Sequence, residues 1–185
     1  MAPVLDHTLF HIINQTLANP VLDFLCPILR NRFTWLPFYI IGGIYVLYKY
    51  RMQGVFILVG VGITILCCDQ SANAIKWSVH RLRPCHLEPG VRLLIDHCSD
   101  TYSFPSNHAT NHFGLAVFLS LVFRRYKWLA VVLIVWAALV AFSQVYVGIH
   151  YPLDVTAGAM LGIMLGGMVF FLYRLAAKRI HQPLG

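Results

Sequence analysis

Five apolar runs dominate the chain, at residues 33–48, 53–75, 107–123, 128–146 and 152–173. A helix that crosses a bilayer needs roughly 20 mostly apolar residues. In hydrocarbon every backbone polar group must be satisfied within its own segment, so runs of this kind fold as helices. Only 11% of the residues are charged, against about 25% in soluble domains. The expected fold class is therefore all-α: a polytopic membrane helix bundle of five to six transmembrane helices with an N-terminal amphipathic helix. A single domain, 1–185, is expected, with residues 1–30 as the amphipathic N-terminal segment and 33–175 as the core.

Residues 3–18 place Leu5, Leu9, Phe10, Ile13 and Leu17 at helical spacing opposite polar side chains, which predicts a helix on the membrane surface. Asn19-Pro20 breaks it, and the apolar stretch 20–30 is short, so residues 4–30 are expected to lie on the membrane rather than cross it. No basic region precedes an apolar core at the N-terminus, so the first membrane segment is expected to direct insertion. Lys49/Arg51, Arg124/Arg125/Lys127 and Arg174/Lys178/Arg179 fall on one side, which the positive-inside rule makes cytoplasmic. The polar loop 76–106 and the stretch 143–154 then meet at the opposite face, near all seven acidic residues. The net charge of +7 is accounted for by these flanking clusters and by anionic lipid. No basic helix is interleaved with stacking aromatics, which excludes nucleic acid as a partner. Gly158, Gly162 and Gly166 repeat at a spacing that lets helices pack closely, within the chain in preference to between copies. Oligomeric state is left open.

Three polar stretches carry the chemistry. In Ser143–Asp154, Pro152 suits the first turn of a helix. His150 then lies just before that helix and Asp154 in its first turn, where the dipole favours a carboxylate. The Asp can hold one ring nitrogen and leave the other free to attack; an ordinary cap would use the same two residues. In Lys76–Pro84, continuation of the helix would put Lys76, His80 and Arg83 on one face, with Asp69 and Asn73 extending the stripe into the membrane. Fixed cations on this face suit a phosphate, although snorkelling side chains look alike. In Phe104–His108, Ser106 is a natural N-cap, and the N–H groups after it form an anion site.

Read together, Lys76…Arg83-Pro84, Pro105-Ser106-Asn107-His108 and Ser143-Gln144…His150…Asp154 resemble the three motifs of the type 2 phosphatidic acid phosphatase (PAP2) superfamily, K-x6-R-P, P-S-G-H and S-R-x5-H-x3-D. The resemblance covers about residues 33–175 and extends to short bacterial members of the undecaprenyl-diphosphatase kind. It implies His150 as nucleophile and phosphohistidine carrier, Asp154 as its orienting partner, and His108 as general acid. It implies Lys76, Arg83, Ser106, Asn107 and Gln144 around the phosphate. His80, Arg81 and His112 are candidates for a surrounding layer, with Arg92 a further cation within possible reach.

Two positions depart from the motifs. Asn107 stands where the family has Gly, and Gln144 where it has a phosphate-binding Arg. The implied activity is hydrolysis of a lipid phosphate or diphosphate, undecaprenyl diphosphate first, at the outer face of a bacterial inner membrane. Phosphatidylglycerophosphate, phosphatidate and lipid A 1-phosphate are alternatives, as is transfer to a lipid acceptor. Gln144 keeps open a protein that binds phospholipid without cleaving it, and a vanadate haloperoxidase fits poorly. No cofactor or metal is expected, since Glu88, Asp96 and Asp100 are scattered and no zinc spacing is present. Cys26, Cys67 and Cys68 read as small hydrophobes. Cys85 and Cys98 share the polar loop and are expected to bridge if it faces an oxidising compartment. His7, His11 and His181 carry no reading beyond polar-face residues.

Overall fold

The computed structural model describes residues 4–179, so His181 lies outside the described residues. All five predicted apolar runs are helical. Helix α1 (Val4–His11) runs into a π-helical turn, Ile12–Thr16, and α2 (Pro20–Arg30) follows after Asn19 caps it through Val21 and Leu22. Then come α3 (Arg32–Val79), the short α4 (Pro84–Leu87), α5 (Asn107–Val122), α6 (Lys127–Tyr146) and α7 (Pro152–Arg179). No strand occurs among the described residues.

Helix α3 holds two of the predicted runs as a hairpin. At Arg51 the backbone leaves the helical region (φ 52°, ψ −125°). A Cβ on Gly54 would meet Val46 backbone, and one on Gly43 would touch Leu58, so the arms 32–50 and 52–79 lie antiparallel. Lys49 at the hairpin tip sits over the Tyr126 ring, 5.6 Å away, in the α5–α6 turn, and Tyr50 packs on Phe123. These two basic junctions thus share one end of the bundle. The apolar residues Ile63, Leu66, Val131, Val135, Met160 and Met164 remain exposed on its sides, as a lipid-facing surface requires.

The N-terminal helix turns inward a mixed face of Asp6, Asn14 and the apolar Phe10. Asp6, Phe10 and Asn14 are buried while Leu5, Leu9 and Leu17 are exposed. Asn14 donates to the carbonyls of Arg92 and Tyr146 and accepts from the Arg92 N–H. The physical reason is that the loop and helix ends beneath α1 present unpaired polar groups, which the polar stripe satisfies. The α1–π segment and α2 meet at 115°.

Helices α5 and α7 approach backbone to backbone. A Cβ on Gly162 would strike the Thr110 carbonyl and the Gly114 N, one on Gly166 the Gly114 carbonyl, and one on Gly158 the Ser106 carbonyl. The glycine repeat therefore serves packing within the chain. The Cys85 and Cys98 sulfurs are bonded, with Cα atoms 6.1 Å apart. Gly148, at φ 89°, makes the turn after α6 where the Arg92 carbonyl passes close by, a backbone region and a proximity that favour glycine.

Gly162→Ala should destabilise the protein by about 1–3 kcal/mol, because the Thr110 backbone cannot yield cheaply. Gly167→Ala, which meets nothing within 4 Å, should leave stability unchanged or raise it. Thermal unfolding of both variants in detergent checks the pair.

Candidate active site

The three sequence stretches meet at the end of the bundle away from the α3 hairpin tip. Pro152 opens α7 as expected, and His150 lies just before it. The His150 backbone N–H is held by the Gln144 carbonyl at 3.2 Å. Its Nδ1 faces Asp154 Oδ2 at 3.4 Å, and its Nε2 lies 3.1 Å from Arg83 Nη1. A guanidinium can only donate. Nε2 therefore presents its lone pair, and the ring proton belongs on Nδ1, directed at Asp154. Burial pushes the His150 imidazole down, to about 4, against the upward pull of the Asp154 hydrogen bond. The ring is thus neutral, and its outward nitrogen accepts from Arg83; once that hydrogen bond passes to a ligand oxygen, the lone pair can act as a nucleophile.

Asp154 is fully buried and engaged on all sides. Oδ2 also accepts the Tyr151 N–H at 2.9 Å, and Oδ1 accepts from Arg81 Nη1 at 2.6 Å. Its backbone carbonyl accepts the Ser106 N–H at 3.0 Å, which joins the second stretch to the third. Ser106 caps α5 through the Ala109 N–H. His108 follows in the first turn, stacked on His112 with the rings 10° from parallel. His112 Nδ1 donates to the His108 carbonyl at 2.7 Å.

The stretch Lys76–Pro84 departs from the predicted face. Helix α3 stops at Val79, His80 takes a left-handed conformation (φ 55°), and Arg83 is extended. The cause is local: Pro84 disfavours helix at the residue before it, and a left-handed residue ends the helix. Lys76 and Arg83 still converge. Lys76 Nζ donates to the carbonyls of Tyr102, Ser103 and Pro105, and so shapes the loop before Ser106. Arg83 donates to the Thr101 carbonyl and hydroxyl and to the Ile149 carbonyl. His80 instead packs on the Tyr102 ring. Arg81 is held between Asp154 and Asp6, and Arg92 pairs with Asp23.

These groups line a cavity of about 490 Å³, with Arg30, Asp69, Asn73, Lys76, Arg83, Asn107, His108 and His150 on its walls. Asn107 donates to Asp69 and Asn73, at 2.7 and 2.9 Å. Gln144 is not on the wall. Its side chain turns back along α6 toward the Val140 carbonyl, at 3.4 Å, and Oε1 finds no partner. Gln144, expected around the phosphate, thus keeps its side chain off the cavity wall, and its backbone carbonyl accepts the His150 N–H.

Asp6 and Arg30 are the residues that sequence reasoning missed. Asp6 Oδ2 pairs with Arg81 Nη2 at 2.6 Å, and Oδ1 accepts the Leu153 N–H at 2.8 Å. A carboxylate from α1 thus caps α7, the helix that carries Asp154. Asp6→Ala should lower both thermal stability and kcat, with KM little changed. Removing one partner of a buried, charged network costs roughly 3–5 kcal/mol. Unfolding and steady-state kinetics measured on the same preparation check this.

Comparison with known proteins agrees with the geometry. Residues 53–179 match the PAP2 superfamily. Lipid A 4'-phosphatase of Bacteroides thetaiotaomicron is 32% identical over 89% of this chain and 75% of its own. Undecaprenyl-diphosphatase of Sulfolobus acidocaldarius is 32% identical over 83% of this chain and 71% of its own. The crystal structure of Aquifex aeolicus LpxE superposes with a TM-score of 0.76 at 25% identity, covering 92% of this chain and 97% of that one. The chain belongs to the PAP2 superfamily, as a multi-pass membrane protein of the lipid phosphatase class.

Proposed function

We propose that the protein hydrolyses a lipid-linked phosphate through a phosphohistidine on His150. The observation that carries this reading is the buried His150–Asp154 pair, with Arg83 on the outward nitrogen. His150 Nε2 attacks phosphorus while the bond to the leaving oxygen breaks. His108 donates a proton to that oxygen. A water then attacks the phosphohistidine, His108 takes a proton from it, and inorganic phosphate and neutral His150 are released. Asp154 stabilises the charge that forms on the ring during the first step. Arg83 is within 3.1 Å of the attacking nitrogen, where equatorial oxygens develop charge, and positioned cations of this kind account for most of phosphoryl-transfer catalysis. The N–H groups that open α5 complete the cradle.

For the lipid we favour a polyprenyl diphosphate such as undecaprenyl diphosphate, cleaved at the outer face of the bacterial inner membrane. The three cations on the cavity wall suit its charge. A phosphate on a saccharide lipid is the second reading. It is favoured by the amide and carboxylate wall of Asp69, Asn73 and Asn107, whose groups match hydroxyls, and by the likeness to lipid A 4'-phosphatase.

Phosphate release from undecaprenyl diphosphate, lipid A, phosphatidylglycerophosphate and phosphatidate, with EDTA present, tests both levels. His150→Ala should abolish release on every lipid, and the rates rank the substrates. Unchanged activity in His150→Ala would remove the mechanism. The pH profile gives a further check. Protonation of His150 takes away the nucleophile, and burial holds its pKa below the ordinary His value, so the acid limb of kcat/KM should lie well below the ordinary value of about 6.5. An acid limb at that ordinary His value would contradict this.

A further inference from the structure

Position 144 lacks the arginine that binds phosphate in the family, and neither its glutamine nor the neighbouring Arg81, His80 and Arg92 reaches the cavity. A different guanidinium does. Arg30, at the end of α2, lines the same cavity as His108, His150 and Arg83. Its environment is unlike that of the other two cations. Lys76 is held by three carbonyls, and Arg83 by Thr101, Ile149 and His150. Arg30 has its Nε buried with no hydrogen-bond partner, and no carboxylate pairs with it among the described residues. A guanidinium carries five donors and stays charged at any working pH. Set on the cavity wall with its Nε unpartnered, it is the group whose donors are left for a ligand.

We propose that Arg30 is a phosphate-binding residue that supplies, from the N-terminal segment, the guanidinium missing at position 144. This rests on the phosphate site described above. The backbone geometry makes the exchange reasonable. Asn31 ends α2 and at once caps α3 through the Phe33 N–H, and the Trp35 indole donates to the Leu29 carbonyl at 2.7 Å. The chain on either side of Arg30 is therefore fixed, and its side chain is delivered to the cavity from a braced corner. A planar fork at this point can take two phosphate oxygens at once. With Arg83 beside the attacking nitrogen, two guanidinium groups then share the equatorial oxygens, and Lys76 organises the loop behind them.

The test is a titration of inorganic phosphate against the full chain in detergent, read as the thermal shift and so independent of turnover. Arg30→Gln should weaken phosphate binding roughly 10- to 100-fold, the range for a lost hydrogen bond to a charged group. Arg30→Lys keeps the charge without the fork, should fall between Gln and wild type, and carries the test if the Gln variant is unstable. Adding Gln144→Arg to Arg30→Gln should recover at least tenfold. Phosphate affinity within twofold of wild type in Arg30→Gln, or in Arg30→Lys where the Gln variant is unstable, would overturn the assignment, whatever happens to activity. A folded double variant with no recovery would overturn the exchange with position 144. Failure of the wild type to bind phosphate would instead remove the phosphate site on which the inference rests.

Discussion

One buried carboxylate holds the site together. Asp154 receives the His150 ring, the Tyr151 N–H and the Arg81 guanidinium on its side chain, and the Ser106 N–H on its carbonyl. A charge taken out of water is expensive unless it is paired and hydrogen-bonded. That demand is met by bringing three separated stretches of chain to a single point. The His tautomer, the start of α7 and the loop before α5 are set by the same contacts. The N-terminal helix joins the arrangement through Asp6, which shares Arg81 with Asp154 and caps the helix that bears it.

Close helix packing makes this arrangement rigid. Gly158, Gly162 and Gly166 let α7 lie on the backbone of α5, so the turn bearing His150 and the turn bearing His108 are held at a fixed spacing. A second brace lies above the site. Glu88 accepts from Tyr151 Oη at 2.8 Å and meets His11 at 3.2 Å as well as His7. Tyr151 in turn supports Arg81, whose guanidinium carbon is 4.0 Å from the ring centroid. Burial raises the Glu88 carboxyl, but the Tyr151 and His7 hydrogen bonds outweigh it and leave the group below its usual value.

Much of this was legible in the sequence because the signals were local. Apolar length located the helices, Pro152 and Ser106 marked the two helix starts, and motif spacing assembled the site. What escaped was long-range. The inward contacts of the N-terminal helix are of this kind, since nothing in residues 4–16 reveals that Arg81, Arg92 and Glu88 lie beneath it. Arg30 was overlooked although a signal was present: like Lys76 and Arg83, it sits at the end of the bundle where the positive-inside bias gives cations no reason to gather. The helical face drawn through Lys76, His80 and Arg83 failed because the effect of Pro84 on its predecessor outweighed simple continuation of the helix.

The central claim is that His150 carries the phosphoryl group. The direct measurement is a rapid alkaline quench of the enzyme during turnover of a lipid bearing a labelled phosphate, followed by peptide mapping. The account predicts an acid-labile, base-stable label on the peptide containing His150, absent in His150→Ala. A time course with substrate turning over and no label on the protein would contradict it, as would label mapped to any other residue.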